Sequence, residues 1–354
     1  MMELQDNEIK LTQYSRGAGC GCKIAPAVLE EILKTNVAQP HNANLLVGNG
    51  SNDDAAVYDM GNGTALIATT DFFMPVVDDA FDFGRIAAAN AISDVYAMGG
   101  SPLMAVAILG WPVEKLPVAM AQKVLEGARA VCAQAGIPLA GGHSIESTEP
   151  IFGLAVNGLS AIDHLKKNNT AKKDDYLFLT KPLGSGILST AQKRGVLKEE
   201  HHVQLTRQLT QLNKIGAVLG KIKGVTAMTD VTGFGLAGHL IEMAEGSGLS
   251  AELYYSQVPV MDGVKEYLGQ RIVPDATYRN WNAYSSKISF GAGVDVMEAF
   301  SLLPDPQTNG GLLIAVNEGA IDDVVRLLAG NDLAFFSKPI GRMVQKQEKV
   351  IVVT

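Results

Sequence analysis

Short apolar segments typical of buried strands alternate with longer amphipathic segments along most of the chain. Residues 65–68 and 103–111 predict buried strands, and residues 81–100 and 118–136 predict helices. The alternation stops at the charged segment 163–175, which has no apolar periodicity and indicates a domain boundary. A second alternating set follows, so the pattern constrains the chain to two α+β lobes.

Length supports the same division, because 354 residues exceed one ordinary hydrophobic core. We expect a flexible, glycine-rich N-terminal segment over 1–42, an N-terminal α+β domain over 43–162 and a C-terminal α+β domain over 176–354. In the C-terminal domain, residues 205–222 predict one continuous helix.

Composition excludes several classes of protein. Hydrophobic residues make up 47% and charged residues 19%, which indicates a globular protein. The net charge of −8 argues against a nucleic-acid partner. The longest apolar run, residues 102–111, is too short to cross a membrane, and the polar N-terminus lacks a signal peptide pattern. Three cysteines do not make a disulfide framework, so we expect a cytoplasmic protein.

Aspartates recur where predicted strands end or helices face the core. Asp53 and Asp54 lie in a loop, and Asp71 lies just past the first strand. Asp94 lies on an apolar helix face, four residues after Asn90, and Asp230 lies just past a later strand. Several carboxylates with few cationic neighbours favour Mg²⁺, which completes its shell with water and phosphate oxygens. The alternative is that each aspartate caps a helix or stabilises a turn.

Two glycine-containing motifs have weaker implications. Gly233, Gly235 and Gly238 spell G-x-G-x-x-G, but the surrounding residues do not form the repeated parallel unit of a dinucleotide-binding domain. The run 142–144, which is Gly142, His143 and Ser144, follows a short predicted strand over 137–140 and is consistent with either a nucleotide contact or a simple turn.

A polar loop over 303–313 precedes a predicted strand. Its Gln307, Thr308 and Asn309 follow two prolines that restrict the backbone, so the loop either lines a pocket or is a plain connection.

Cys20 lies among glycines that permit large backbone movements. Arg16 and Lys23 place positive charge nearby, which is expected to favour the thiolate of Cys20. Lys23 also suits stabilisation of a phosphoryl group in transfer. The alternatives are a disordered tail with chance cysteines, or a redox pair of Cys20 with Cys22.

Ten motifs together resemble the selenophosphate synthetase (selenide, water dikinase) family of the aminoimidazole ribonucleotide synthetase-like superfamily, from about residue 11 to the C-terminus. They are YSRGAGCGCK, SNDDAAVYD, TTDFFMPVVDD, FGRIAAANAISDVYAMGG, GWP, AGGHSI, FGLAVNG, TKPLGSGIL, AMTDVTGFGLAGH and DPQTNGGLL. The sequence has QTNGG where QTSGG is usual.

The resemblance implies a two-lobed fold in which each lobe is a mixed β-sheet with helices packed on it. It implies an enzyme, a phosphotransferase with paired acceptors, that converts ATP, selenide and water to selenophosphate, AMP and orthophosphate. The implied partners are a second copy of the chain, paired through the N-terminal lobes, and a selenium-delivery protein, with no nucleic acid and no membrane.

The resemblance also implies residue roles. Cys20 matches the catalytic cysteine and Lys23 the catalytic lysine that contacts ATP. The Mg²⁺ ligands would be Asp54, Asp94 and Asp230. Nucleotide contacts would come from Lys23, Ser51, Asn52, Asp53, Asp71, Asp94, Gly142, His143 and Ser144.

Two other classes of function stay open at this point. One is another ATP-using member of the superfamily, such as thiamine-monophosphate kinase or a synthetase acting on an amide, which would not need the cysteines. The other is a selenium- or metal-binding protein without turnover.

Overall fold

A computed structural model describes residues 9–24, 26–35, 42–48, 50 and 53–354. In this part of the chain, two mixed β-sheets form separate lobes, each with helices packed on it. The two-lobed α+β fold predicted from the sequence is confirmed, while the exact domain limits stay a prediction. No helix among the described residues has the length and apolarity that a bilayer crossing demands.

The N-terminal lobe contains a sheet with the strand order β1-β2-β3-β6-β4-β5. Strands β4 and β5 are parallel and the other neighbours are antiparallel. Its elements, with the short helix that precedes them, are α1 (Pro26–Leu33), β1 (Leu45–Val47), β2 (Ala56–Asp59), β3 (Thr64–Phe73), α2 (Ala80–Ala97), β4 (Ser101–Trp111), α3 (Val118–Ala135), β5 (Leu139–Glu146) and β6 (Ile151–Ala161).

The C-terminal lobe contains a sheet with the order β10-β13-β9-β12-β7-β11-β8. Its elements are β7 (Tyr176–Leu179), α4 (Ser185–Lys193), α5 (Glu199–Thr210), α6 (Ile215–Leu219), β8 (Val225–Asp230), α7 (Gly235–Gly246), β9 (Ser250–Leu253), α8 (Val264–Gly269), α9 (Asp275–Tyr284), β10 (Ile288–Phe290), α10 (Val296–Leu302), β11 (Leu312–Val316), α11 (Ile321–Ala329), β12 (Gly341–Val344) and β13 (Ile351–Val353).

Helix α2 contacts both lobes and is buried along nearly its whole length. It packs on β3 and β6 of its own lobe, on α3, and on α5, α6 and β8 of the other lobe. The contact with α3 is unusually close: a Cβ on Gly84 would lie 1.9 Å from Val124 O, and one on Gly127 would lie 1.9 Å from Phe81 O. These glycines let the backbones approach, so the polar residues of α2 are held at the junction of the lobes.

Three predictions of local structure are wrong. Asp71 lies within β3 rather than past its end, because β3 pairs with β6 as far as Phe73. The run 142–144 lies inside β5, which pairs with β4 up to Glu146. The predicted helix over 205–222 is broken, because Asn213 turns inward and donates hydrogen bonds to Ser93 Oγ and Gly310 O.

The G-x-G-x-x-G segment follows β8 and leads into α7, as the sequence predicts. Strand β8 is at the edge of its sheet and pairs only with β11, in the antiparallel sense. A dinucleotide-binding unit requires a parallel strand after such a helix, so that interpretation is excluded.

Candidate functional site

A cavity of about 770 Å³ lies between the lobes. Carboxylates from both lobes line it, together with the N-terminal segment and helix α7; the ionisable residues predicted from the sequence that line it are Lys23, Asp53, Asp54, Asp71, Asp94 and Asp230. The structure therefore brings together the acidic residues that the sequence scatters over almost 180 positions.

Threonine and serine hydroxyls hold three of these carboxylates in place. The pairs, in which the hydroxyl donates, are Thr69 with Asp94, Ser93 with Asp230, and Thr229 with Asp54. The last two pairs each connect one lobe to the other. The acidic cluster therefore depends on the lobes being docked as they are.

Burial and mutual repulsion raise the pKa of three carboxyl groups in the cavity. Burial is the largest cause for Asp54, Asp94 and Asp230, and the negative charge of Asp230 raises the pKa of the other two further. The pKa of Asp53 rises to about 6 through burial, against hydrogen bonds from the amides of Asn168 and Asp54. Hydrogen bonds from the Thr229, Thr69 and Ser93 hydroxyls offset only part of these shifts, and bound cations would stabilise the ionised cluster further.

Buried oxygen atoms of Asp53 and Asp54 fit a divalent cation. The Oδ2 atom of each has no hydrogen-bond partner among the described residues, and an unpaired buried carboxylate oxygen is costly. No three His, Cys, Asp or Glu side chains in the described ranges are close enough to hold a metal by themselves. Mg²⁺ commonly takes one or two carboxylates and fills its shell with water and phosphates, so the donor set fits it.

Lys23 brings positive charge to this acidic cavity. Although Lys23 is exposed overall, its Nζ atom lies 3.5 Å from Thr232 Oγ1 and 5.8 Å from the centroid of the Phe234 ring. Desolvation lowers the pKa of Lys23, but Asp71, Asp94 and Asp230 raise it by more, so the pKa lies above its usual value. The ammonium therefore stays charged at neutral pH.

Cys20 is buried between the lobes, with 1% of its surface exposed. Its amide donates to Thr308 Oγ1 at 3.0 Å, and its thiol donates to Asn90 Oδ1 at 3.2 Å. Burial raises the pKa of this thiol well above its usual value, Asp71 raises it further, and Lys23 offsets only part of the shift. The charge of Lys23 does favour the thiolate, as expected, but burial and Asp71 outweigh it in this docked segment.

Asn90 connects the cysteine to the acidic cluster. Its Nδ2 donates to Asp71 Oδ2 at 2.6 Å, and its Oδ1 also accepts the amide of Asn309 at 2.7 Å. The polar loop over 303–313 is therefore neither a pocket wall nor a plain connection. Its Gln307, Thr308 and Asn309 are buried. Thr308 Oγ1 accepts the amide of Cys20, and the amide of Asn309 donates to Asn90, so the loop anchors both the N-terminal segment and α2.

Basic side chains of the C-terminal lobe hold the backbone of the N-terminal segment. Lys193 Nζ donates to the carbonyl of Ser15 at 2.9 Å and lies 3.4 Å from the carbonyls of Arg16 and Gly17. Arg279 Nη2 donates to the carbonyl of Gly21 at 2.8 Å.

Cys20, Cys22 and Cys132 are free thiols, and Cys132 is buried in α3.

Some predicted nucleotide contacts are not at this cavity. Gly142, His143 and Ser144 lie on β5, which is exposed along most of its length at the edge of the sheet, and they do not line the cavity. Ser51 and Asn52 lie outside the described residues.

Sequence reasoning missed part of the cavity lining. Thr232, His239 and Glu242 line it beside Lys23. The available signal was the spacing of His239 and Glu242, three residues apart and therefore on one face of the helix that follows the glycine motif.

If Lys193 holds the segment closed, Lys193→Met will make Cys20 easier to reach. A charged hydrogen bond to backbone contributes enough that its loss should raise the alkylation rate of Cys20 by about 3- to 10-fold. Iodoacetamide labelling, followed by site-resolved mass spectrometry, measures the rate. Lys198→Met is the control, because Lys198 pairs with Glu266 on the surface. Equal Cys20 rates in both variants would show that Lys193 does not hold the segment.

Two domain profiles and many curated relatives match the chain. The AIR synthase related protein N-terminal domain matches residues 52–160, and the corresponding C-terminal domain matches residues 172–354. "Selenide, water dikinase" of Pasteurella multocida is 54% identical over 339 residues, covering 96% of this chain and 95% of that one. The protein of the same name from Yersinia pseudotuberculosis is 56% identical over 335 residues, covering 95% and 94%.

Solved structures share the fold at low identity. Thiamine-monophosphate kinase from Stenotrophomonas maltophilia superposes with a TM-score of 0.63 at 20% identity, covering 94% of this chain and 96% of that one. The structure of a HypE–HypF complex gives 0.66 at 17% identity, covering 93% and 96%. These likenesses concern the fold alone. The sequence identity over nearly full length goes further, and the chain belongs to the selenide, water dikinase family.

Proposed function

We propose that the cavity between the lobes is where ATP, selenide and water are converted to selenophosphate, AMP and orthophosphate. The observation that supports this most is the meeting of carboxylates from both lobes with Lys23 at the cavity. Cys20 does not line the cavity but is buried next to it, connected to Asp71 through Asn90. A phosphoryl-transfer site needs cations held against phosphates and a group that stabilises the charge in transfer. The Cys20 thiol would hold selenide without a covalent bond, so the step needs no oxidant.

Asp54, Asp94 and Asp230 are the residues that would hold Mg²⁺, with no more than two of them at any one ion. Asp53 and Asp71 would contact the nucleotide. Bound Mg²⁺ supplies neutralisation of phosphate charge. The chain itself then excludes water by docking its N-terminal segment, which we propose acts as a lid. In this proposal the lid is the described stretch 9–24, which carries Cys20 and Lys23.

In the first step, selenide attacks the γ-phosphorus of ATP, a Se–P bond forms, and the bond from γ-phosphorus to the bridging oxygen breaks. Lys23 stabilises the charge on the transferred group, since its ammonium lies at the cavity and stays protonated. Cys20 holds or delivers the selenium. In the second step, water attacks the β-phosphorus of ADP, and AMP and orthophosphate leave.

Burial of Cys20 affects how selenium arrives. At 1% exposure the thiol is out of reach of solvent, so the segment must open before Cys20 meets selenium. A selenium-delivering protein is therefore a partner in this proposal. We also propose a cytoplasmic location, because the chemistry requires Cys20 and Cys22 to remain free thiols.

Phosphorus NMR of the pure protein with ATP, Mg²⁺ and selenide tests the reaction. We expect a selenophosphate resonance that grows together with AMP. Lys23→Ala should lower turnover by at least about 100-fold because charge stabilisation in transfer is lost, and Cys20→Ser should abolish selenide-dependent AMP release while both variants keep the wild-type melting temperature.

The alternatives give different spectra. ADP without selenophosphate would indicate another kinase of the superfamily, and no nucleotide consumption would indicate a binding protein. Full selenide-dependent AMP release by Cys20→Ser would contradict the role given to the thiol.

We propose that two copies of the chain pair through their N-terminal lobes. Among the described residues, strand β5 is the outermost strand of its sheet. Apolar side chains on β4 and β5 are exposed, with Leu103 at 50% and Ile145 at 61%. Residues 142–144 do not line the cavity of their own chain. In the proposed dimer they would contact the nucleotide bound by the neighbouring subunit.

Ile145→Lys places a charge in the proposed interface and should convert the dimer to a monomer in sedimentation velocity at micromolar concentration. Val118→Lys, at an exposed position of 63% on α3, is the matched control and should stay dimeric. A monomeric wild-type protein, or a dimer that survives Ile145→Lys, would contradict the proposed pairing.

A further inference from the structure

Helix α7 presents a buried imidazole to the cavity. His239 and Glu242 are three residues apart and share one helix face, and both line the cavity. His239 is 7% exposed, and its Nδ1 atom lies 3.3 Å from Glu242 Oε2. The imidazole therefore has a carboxylate on one side, an arrangement that fixes the orientation of the ring.

The other ring nitrogen accepts a hydrogen bond from backbone. The amide of Thr232 donates to His239 Nε2 at 3.1 Å. A backbone amide can only donate, so Nε2 must be unprotonated and the proton of the neutral ring is on Nδ1. Nδ1–H then faces Glu242 Oε2 at 3.3 Å, so the nearby carboxylate favours the same tautomer electrostatically.

Thr232 in turn contacts the ammonium of Lys23. Lys23 Nζ donates to Thr232 Oγ1 at 3.5 Å, which is at the long end of hydrogen-bond distances. Phe234 stacks on the imidazole with ring centroids 5.9 Å apart, and its own ring faces the Lys23 ammonium. A Cβ on Gly233 would lie 2.9 Å from Lys23 Cδ, so the lysine stem packs on this turn.

The ammonium needs such a contact because of its surroundings. Asp71, Asp94 and Asp230 all attract it, and an ammonium on a flexible stem can pair with any of them. The hydroxyl of Thr232, which lies 3.3 Å from His239 Nε2, gives the Lys23 ammonium one defined position at the cavity.

We propose that Glu242, His239 and Thr232 form a positioning chain that sets the Lys23 ammonium for phosphoryl transfer. Glu242 lies against the protonated nitrogen of His239. His239 accepts the amide of Thr232 and lies 3.3 Å from its hydroxyl, and that hydroxyl accepts from Lys23. The inference rests on the proposed function, in which Lys23 stabilises the group in transfer. Misplacing such a group by about 1 Å costs up to about 100-fold in rate.

Steady-state kinetics of the full chain tests this proposal. His239→Phe keeps an aromatic ring against Phe234 but removes the acceptor, and Thr232→Val removes the hydroxyl. Both should lower kcat for selenide-dependent AMP formation by about 10- to 100-fold, with the KM for ATP changed by less than about threefold. His239→Gln, whose amide oxygen can replace Nε2 as the acceptor, and Thr232→Ser should recover most of kcat.

His201→Phe is the matched control for the loss of a buried imidazole. His201 is 8% exposed, binds the hydroxyl of Tyr267 at 2.8 Å and does not line the cavity. This variant should melt earlier than the wild type and keep kcat within about twofold.

Two readouts do not need activity. Amide hydrogen exchange at Thr232 should become faster in His239→Phe and stay slow in His239→Gln. Acylation of Lys23 by a succinimidyl ester, followed by mass spectrometry, should become severalfold faster in Thr232→Val. If these two readouts change as expected but the wild type makes no selenophosphate, the positioning chain stands and the proposed function fails.

The proposal is overturned if His239→Phe exchanges its Thr232 amide as slowly as the wild type, or if folded His239→Phe keeps the wild-type kcat. It is also overturned if His239→Gln is as impaired as His239→Phe while both keep their melting temperature.

Discussion

Repulsion among buried carboxylates is the constraint on which the rest of the site depends. Asp54, Asp94 and Asp230 come from both lobes. Beyond the effect of burial, the charge of Asp230 raises the pKa of the other two, and the charge of Asp71 raises the pKa of Asp94 and Asp230. Folding alone does not relieve this repulsion, since hydroxyls from Thr69, Thr229 and Ser93 satisfy only part of the oxygens. The cavity is therefore built to be completed by cations and by the phosphates that accompany them.

Docking of the N-terminal segment follows from the same constraint. Lys23 is drawn into the acidic cavity, and Cys20 is carried with it into a buried position between Asn90 and Thr308. Cys20 is held as a thiol in this state, because burial and Asp71 raise its pKa. The docked segment thus protects the sulfur of Cys20 from solvent, and an opened segment would expose it. In the proposed mechanism the same short stretch of chain therefore meets selenium when it is open and the phosphates in the cavity when it is docked.

Local patterns in the sequence predicted the elements whose neighbours are close in the chain. Helix α2 was predicted from its apolar periodicity, and Asn90 with Asp94 from their spacing on one face. The family resemblance gave the fold and the enzyme class, which the comparisons confirm. The roles of individual site residues stay proposals.

What the sequence did not predict depends on distant contacts. The partner of the Cys20 amide, Thr308, is 288 residues away, so the burial of the thiol has no local signal. The break in the predicted helix over 205–222 arises because Asn213 binds Ser93 of the other lobe. His239 was missed because its partners are one backbone amide and one carboxylate on the same helix, which a motif search does not find.

The central claim is that the carboxylates of both lobes converge on cations at one triphosphate. Anomalous diffraction from crystals grown with Mn²⁺ and a non-hydrolysable ATP analogue tests it most directly. The account predicts manganese peaks in the cavity, within about 2.5 Å of oxygen atoms of Asp54, Asp94 and Asp230, with the γ-phosphate beside Lys23. Manganese bound elsewhere, or a nucleotide whose phosphates lie away from these aspartates, would contradict it.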